Sequence, residues 1–335
     1  MTEITTTDYH TGGEPFRIVT GAAPPLEGRT VPDRRRWAAA NIDHVRQLLV
    51  NEPRGHADMY GGFVTPPDDA GADLGVVFFH NEGYSTACGH GTIALVTWAI
   101  DSGRVAVEPG ARQVRVTVDV PSGRLECTAR MDDRGRVESV AFRNVPSFVL
   151  ARDVAVATAR GTLELDVAFG GAFYGSLDVR ELGLRVEPGA LPELIALQRE
   201  LRPALERALD VVHPEQPDLS GIYGVIFWEP VDGEPRTQRN VTVFADGEVD
   251  RSPCGSGTSA RLAILHARGE IGVGETLRHR SIVDSVFEAR VVAAGPPVGP
   301  HASLITEVEG SAFLTGQHAF TLDARDPLGT GFLLR

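Results

Sequence analysis

A short cysteine motif that occurs twice is the feature that most constrains how this chain folds. The copies read ACGHGTIA around Cys88 and PCGSGTSA around Cys254. Counted from each cysteine, five of the first seven positions are identical. The match extends further, because Gly103 and Gly269 each lie 15 residues after their cysteine. Self-similarity over this length predicts that a whole structural unit is duplicated.

Each copy of the motif predicts a strand, a tight turn and a buried helix. The strand-like runs LGVVFFH (residues 74–80) and NVTVF (residues 240–244) precede the two cysteines. The glycines allow a tight turn, and residues 92–100 (TIALVTWAI) are apolar nearly all round, which is typical of a helix inside a core. The run LAILHA (residues 262–267) is similar but less uniform. We therefore expect each cysteine at the N-terminus of a buried helix, where backbone N–H groups and the helix dipole favour a thiolate.

The length and the repeat together predict two domains. With 335 residues the chain is long enough for two cores of ordinary size. We expect an N-terminal domain over residues 1–155 that carries Cys88, and a C-terminal domain over residues 156–309 that carries Cys254. The tail, residues 310–335, alternates apolar and polar positions, and we expect it to return and complete the first domain.

Three further segments have clear periodicity. Residues 33–51 have helical spacing, and residues 191–212 predict an amphipathic helix that Pro203 interrupts. Residues 114–130 alternate on both sides of a Pro-Ser-Gly turn and predict a hairpin. Cys127 lies on the second strand of that hairpin, where we expect a packed core cysteine without a catalytic role.

The charge balance and the cysteine content restrict the partners. A net charge of −13 argues against nucleic acid and anionic membranes. Neither a secretory signal nor an apolar run long enough to cross a membrane is recognisable in the sequence, and three cysteines do not make a disulfide framework. We expect a cytoplasmic protein with reduced thiols and a small-molecule substrate, with a homodimer as the expected assembly if copies associate.

Two equivalent cysteines on related domains suit the inversion of a carbon centre. If both face one cleft, one thiolate removes a proton and the opposite thiol delivers one. The substrate carboxylate and the enolate-like charge would be bound by backbone N–H groups that follow each cysteine. We expect those donors from Gly89, His90, Gly255 and Ser256.

Other interpretations of the motif explain less. His90 suggests a metal ligand, but Ser256 occupies the same place in the second copy and no CxxC pair is present, so we expect no metal. A cysteine protease that pairs Cys88 with a distant histidine leaves the second cysteine unexplained. A non-catalytic amino-acid-binding protein would need the glycine N–H donors but not two thiols.

Acidic residues near the second cysteine are less informative. Asp250 lies four residues before Cys254, and it is either a ligand for a substrate ammonium or an exposed turn residue. Nothing in the sequence separates Asp246 and Glu248 from ordinary solvated charges.

At this point the residues resemble the proline racemase family, which includes 4-hydroxyproline 2-epimerases and trans-3-hydroxy-L-proline dehydratases. The matching stretches are residues 8–19, 82–95, 166–174 and 240–261. The resemblance implies a diaminopimelate-epimerase-like α/β (α+β) fold, with two pseudo-symmetric domains that each wrap sheet around a central helix. It implies no cofactor, and it assigns the acid/base roles to Cys88 and Cys254. Substrate contacts are implied for Gly89, His90, Gly255 and Ser256, and Asp250 matches the residue that holds the substrate nitrogen.

The sequence carries conflicting signals about the branch of the family to which the chain is most similar. Dehydratases resemble this chain in residues 82–86, 170–174 and 222–224, and hydroxyproline epimerases typically carry a histidine where Gly224 falls. Dehydratases, however, usually have threonine in place of the second cysteine, and this chain has Cys254. Because two thiols permit inversion, we predict a racemase or epimerase acting on proline or 4-hydroxyproline, with trans-3-hydroxy-L-proline dehydration as the alternative.

Overall fold

The computed structural model describes residues 3–21 and 23–334, which form two compact units. The first extends to Phe142 and takes up the chain again from Ser311, and the second is Arg143–Gly310. The division expected between residues 155 and 156 would fall inside the strand Ser147–Thr158. That strand pairs with its successor as far as Thr158, so it remains whole within the second unit.

The first unit holds eight strands and three helices among its described residues. The strands are β1 Glu3–Thr11, β2 Glu14–Gly21, β3 Tyr60–Thr65, β4 Leu74–His80, β5 Gln113–Val120, β6 Gly123–Met131, β7 Val137–Arg143 and β17 Ala312–Thr321. The helices are α1 Val31–Asn41, α2 Asp43–Val50 and α3 Gly89–Asp101. Pairing runs in the order β17, β1, β2, β3, β4, β5, β6, with β2–β3 and β4–β5 parallel and the other pairs antiparallel.

The second unit closes its strands into a ring. Its strands are β8 Ser147–Thr158, β9 Gly161–Phe169, β10 Phe173–Asp178, β11 Ile222–Pro230, β12 Thr237–Phe244, β13 Glu248–Asp250, β14 Thr276–Ser281, β15 Val286–Ala294 and β16 Ser303–Gly310. The helices are α4 Leu191–Ala208 and α5 Gly255–Ala267. Pairing runs from β8 through β9, β10, β11, β12, β14 and β15 to β16, which pairs back with β8.

One buried helix lies against the sheet of each unit. Helix α3 contacts β1, β2, β3, β6 and β17, and α5 contacts β8, β9, β10, β15 and β16. Every residue of α3 from Gly89 to Ile100 is buried, as the apolar run predicted. Both helices are followed by a left-handed glycine, Gly103 at φ 71° and Gly269 at φ 74°. The helix lengths and glycine stops expected from the repeat are therefore confirmed.

The repeat also includes the strands around each helix. In the first unit β4 leads to the cysteine, α3 follows, and the β5–β6 hairpin returns parallel to β4. In the second, β12 and the short β13 lead to the cysteine, α5 follows, and the β14–β15 hairpin returns parallel to β12. The order strand, cysteine turn, buried helix, hairpin is thus the same in both units.

Two helix predictions differ from the structure. The segment 33–51 is two helices, α1 and α2, which meet at Ile42. Pro203 does not interrupt α4, which continues to Ala208. The proline lies on the exposed face, where water can satisfy the carbonyl that it leaves unpaired, while buried Leu201 and Leu205 anchor the opposite face. Among the described residues no helix has both the length and the apolar character needed to cross a membrane.

Candidate active site

Cys88 is the N-cap residue of α3. Its backbone is extended, with φ −153°, and its Sγ accepts a hydrogen bond from the N–H of Gly91 at 3.3 Å. Both ring nitrogens of His90 lie close to the sulfur, Nδ1 at 3.5 Å and Nε2 at 3.6 Å. The cysteine is buried, with 6% of its surface exposed. The predicted thiol at a helix N-terminus is therefore present, and an imidazole contacts it.

The side chain of His90 is fixed by aromatic neighbours. The rings of Tyr60 and Phe16 meet it edge-on, with centroids 5.0 Å and 5.9 Å away. The hydroxyl of Thr11 donates to the His90 carbonyl oxygen at 2.9 Å. Because these contacts come from β1, β2 and β3, the sheet holds the imidazole against the thiol.

The second glycine of each motif copy leaves room for the sulfur. A Cβ atom at Gly91 would lie 2.6 Å from the Sγ of Cys88 and 2.5 Å from the ring of Phe16. In the other copy, a Cβ atom at Gly257 would lie 3.0 Å from the Sγ of Cys254. The repeated Cys-Gly-x-Gly spacing thus has a packing cause in both units, since each thiol folds back over the glycine three residues later.

We expect Gly91→Ala to displace the Cys88 thiol. Overpacking of this kind typically costs about 1–3 kcal/mol, and a misplacement of ~1 Å at a reacting group can lower activity ~100-fold. Gly257→Ala is the matched variant and should lose less, because its contact with sulfur is longer. Turnover and thermal unfolding of both variants test this prediction. A Gly91→Ala enzyme that turns over as fast as the wild type would contradict it.

Cys254 caps α5 in a different backbone conformation. Its φ is 63° and its ψ is 101°, a left-handed region that non-glycine residues rarely adopt. Its N–H donates to the hydroxyl of Ser252 at 3.1 Å, which fixes the turn before the helix. Backbone strain of this type costs on the order of 1–3 kcal/mol and concentrates at functional sites. The two cysteines are therefore equivalent in position but not in conformation.

Asp250, at the end of β13, contacts the second thiol. The carboxylate is 4% exposed, accepts the Ser252 N–H at 2.8 Å and lies next to the thiol of Cys254. Burial raises the pKa of Asp250 to about 6. Burial, followed by the nearby Asp250 charge, raises the pKa of Cys254 to about 12, although the Thr242 hydroxyl and the Gly257 N–H act in the opposite direction. Cys254 is thus a protonated thiol near neutral pH.

The structure brings the predicted residues together in two groups. Gly89 and His90 open α3 directly after Cys88. Gly255 and Ser256 open α5 directly after Cys254, and Asp250 lies next to that cysteine. Cys127 lies on β6 and is 2% exposed, which confirms the prediction of a core cysteine. All three cysteines are free thiols.

Two buried polar residues were missed by the sequence interpretation. Tyr174 on β10 is 1% exposed, and its hydroxyl lies 2.7 Å from the Oγ of Ser256. The only signal was its place in the stretch 170–174, which carries no chemical motif. Glu248 was expected to be solvated, and this was wrong, because it is 3% exposed. It belongs to β13, whose pairing with Phe244 of β12 fixes it inside the fold, whereas the side chain of Asp246 remains 68% exposed.

Within residues 3–21 and 23–334, no group of three or more His, Cys, Asp and Glu side chains is arranged to hold a metal ion. The groups present at the two cysteines are thiols, the imidazole of His90, backbone N–H groups at helix N-termini, one carboxylate and buried hydroxyls.

Known proteins of similar sequence are named for reactions of hydroxyprolines. A protein of Bacillus thuringiensis subsp. konkukian named trans-3-hydroxy-L-proline dehydratase is 45% identical over 330 residues, which cover 98% of both chains. A protein of Burkholderia multivorans named 3-hydroxyproline 2-epimerase is 46% identical over 333 residues, which cover 99% of this chain and 98% of the relative.

A solved structure has nearly the same fold. It is a hydroxyproline epimerase from Agrobacterium vitis with bound trans-4-hydroxy-L-proline, 33% identical, with a TM-score of 0.92 over 99% of this chain and 96% of that one. The predicted diaminopimelate-epimerase-like α+β fold is confirmed, and the protein is an enzyme. The proline racemase family model matches residues 6–333. The chain therefore belongs to the proline racemase family.

Proposed function

We propose that this enzyme inverts Cα of a proline-type amino acid, proline or a hydroxyproline, with Cys88 and Cys254 as its two acid/base groups and without a cofactor. The observation that carries the proposal is the pair of buried, free thiols, each at the N-terminus of a buried helix in a duplicated unit. A binding protein would need the N–H donors of these helices but neither thiol. Two thiols on opposite faces of one carbon supply both the base and the acid that inversion requires.

The contacts of the two sulfurs suggest which one starts as the base. Cys88 receives an N–H from Gly91 and lies against His90, and both contacts favour a thiolate. Cys254 is held as a thiol by burial and by Asp250. We infer that Cys88 takes the α-proton and that the C–H electron pair enters the enolate of the substrate carboxylate. Cys254 then delivers its S–H proton to the other face of Cα, and it becomes the thiolate.

Backbone donors would stabilise the enolate. The N–H groups of Gly89, His90, Gly255 and Ser256 lie at helix N-termini, where orphan donors and the helix dipole favour negative charge. The nearby residues are buried, so these interactions act in a low-dielectric surrounding. Asp250 would pair with the positively charged ring nitrogen of the substrate, which fixes the ring at the second thiol.

A second candidate is dehydration of trans-3-hydroxy-L-proline. It is favoured by the 45% identical relative named for that reaction. The chemistry needs one base: the α-proton is removed, the 3-hydroxyl leaves with a proton as water, and the enamine becomes a cyclic imine. Cys88 alone could serve as that base. The relative from Burkholderia multivorans is, however, named for inversion of a 3-hydroxylated proline, which supports inversion for such a ring as well.

Incubation in D2O with L-proline, trans-4-hydroxy-L-proline and trans-3-hydroxy-L-proline distinguishes the two reactions. We expect deuterium to appear at Cα of at least one of these substrates, together with its inverted isomer. NMR measures both changes. Consumption of trans-3-hydroxy-L-proline to an imine, trapped with o-aminobenzaldehyde, without inversion of any of the three would establish the dehydratase instead.

A further inference from the structure

The position between the two glycines of the motif brings a side chain to each cysteine. In the first copy it is His90, whose ring nitrogens lie 3.5 Å and 3.6 Å from the Sγ of Cys88. In the second copy it is Ser256, whose Oγ lies 4.0 Å from the Sγ of Cys254. Serine is too short to reproduce the contact of the imidazole, so a comparable contact at the second thiol has to come from another side chain.

Tyr174 supplies a hydroxyl at this place. Its phenol oxygen lies 2.7 Å from the Oγ of Ser256 and 3.9 Å from the Sγ of Cys254. It reaches the site from β10, a strand that the motif does not include, and its side chain is 1% exposed. Two hydroxyls and one sulfur therefore form a buried triangle in which either hydroxyl can donate.

We propose that Tyr174 is a positioning residue for Cys254, and that its hydroxyl together with that of Ser256 provides the hydrogen-bonding partner that His90 provides for Cys88. The inference rests on the proposed function, in which Cys254 gives its proton to Cα and is left as a thiolate. As a thiol, Cys254 donates to the phenol oxygen. As a thiolate, it accepts from a hydroxyl of the pair. Only hydroxyl hydrogens rotate, and Tyr174 itself neither gains nor loses a proton.

The surrounding charges explain why such a partner is needed. The ionisable groups at this thiol are Asp250 from β13, Tyr174 from β10 and, behind it, Tyr223 from β11 with its ring centroid 5.7 Å from that of Tyr174. Asp250 disfavours a thiolate at Cys254. Burial raises the pKa of Tyr174 well above its usual value, so the phenol stays protonated and remains a donor. A neutral donor next to the sulfur offsets part of the cost of the thiolate.

Removal of the phenol hydroxyl tests the proposal. We would alkylate wild type, Tyr174→Phe and Ser256→Ala with iodoacetamide across pH, and measure the modification of each cysteine separately by peptide mass spectrometry. A lost hydrogen bond to a thiolate should lower the alkylation rate of Cys254 about tenfold at pH 8 to 9 and shift the pH dependence of that rate to higher pH. The alkylation of Cys88 should be unaffected. Ser256→Ala changes the same triangle, so it gives the result if Tyr174→Phe does not fold.

Tyr9→Phe is the matched control. Tyr9 is also buried, at 3% exposure, but its hydroxyl donates to Asp101 at 3.0 Å in the first unit, so its loss should leave the Cys254 profile unchanged. For the reaction, Tyr174→Phe should lower kcat and leave KM nearly constant. If the pH dependence of Cys254 alkylation is unchanged in both Tyr174→Phe and Ser256→Ala, the positioning role of Tyr174 is overturned. Full epimerisation by Cys254→Ser would instead overturn the proposed function, and the alkylation result would still stand.

Discussion

Cys254→Ser is expected to abolish epimerisation while it leaves α-proton exchange from one enantiomer. A serine hydroxyl is a far weaker acid than a thiol and does not ionise near neutral pH, and loss of one positioned proton-transfer group typically lowers the rate ~10²- to 10⁴-fold. Cys88 would remain in its place at α3, with its Gly91 and His90 contacts intact. Chiral chromatography measures the inversion, and NMR in D2O measures the exchange.

The control for this variant is Cys127→Ser. Cys127 is buried on β6, outside both copies of the motif, and burial raises its pKa far above the usual range, so it is not a reactive thiol. Its replacement should leave kcat nearly unchanged, although packing suffers slightly. Epimerisation at the wild-type rate by Cys254→Ser would show that the second thiol does not transfer a proton.

Asp250→Asn is expected to lower kcat/KM strongly and to leave the fold intact. Truncating one partner of a desolvated charge pair typically costs ~2–5 kcal/mol, which here would appear as weaker binding of the substrate ammonium. Burial raises the pKa of the carboxyl from 3.8 to about 6. Protonation of Asp250 therefore favours the folded state. That contribution is complete below about pH 4 and is lost as the pH rises through about 6. A neutral amide should consequently be tolerated by the fold.

The same carboxyl predicts an acid limb in the pH profile. Ionised Asp250 is needed to hold a cationic ring nitrogen, so kcat/KM of the wild type should fall as the pH drops through about 6. The limb should be missing from Asp250→Asn. Asp246→Asn is the control, since its side chain is 68% exposed and pairs with Arg199 on the surface. An Asp250→Asn enzyme with unaltered kcat/KM would make Asp250 a structural turn residue only.

Periodicity and repetition predicted the parts of the fold that are locally encoded. The two buried helices, their glycine stops and the β5–β6 hairpin follow from apolar runs and turn residues that are adjacent in sequence. Both cysteines could be placed at helix N-termini for the same reason. The closed ring of strands in the second unit could not be foreseen, because it depends on a pairing between β8 and β16, which are about 150 residues apart.

The composition of the site was harder to predict where it depends on tertiary contacts. Tyr174 lies 80 residues before Cys254, and the pairing of β10 with β9 and β11 places it inside the unit. Glu248 looks like a turn charge, and its burial results from pairing with β12. Side chains that reach a site from another strand leave no local pattern.

The left-handed backbone of Cys254 has a consequence for how this site can change over evolutionary time. Glycine tolerates a positive φ such as the 63° found here, but it has no acid/base group. Threonine, the residue that the family resemblance leads us to expect here in a dehydratase, is β-branched and among the worst suited to such a conformation. A single replacement of Cys254 by threonine would therefore place the chain in a strained state before any new reaction could be selected. Replacement of Cys254 by threonine therefore requires a change of the turn at Ser252 and Pro253 as well.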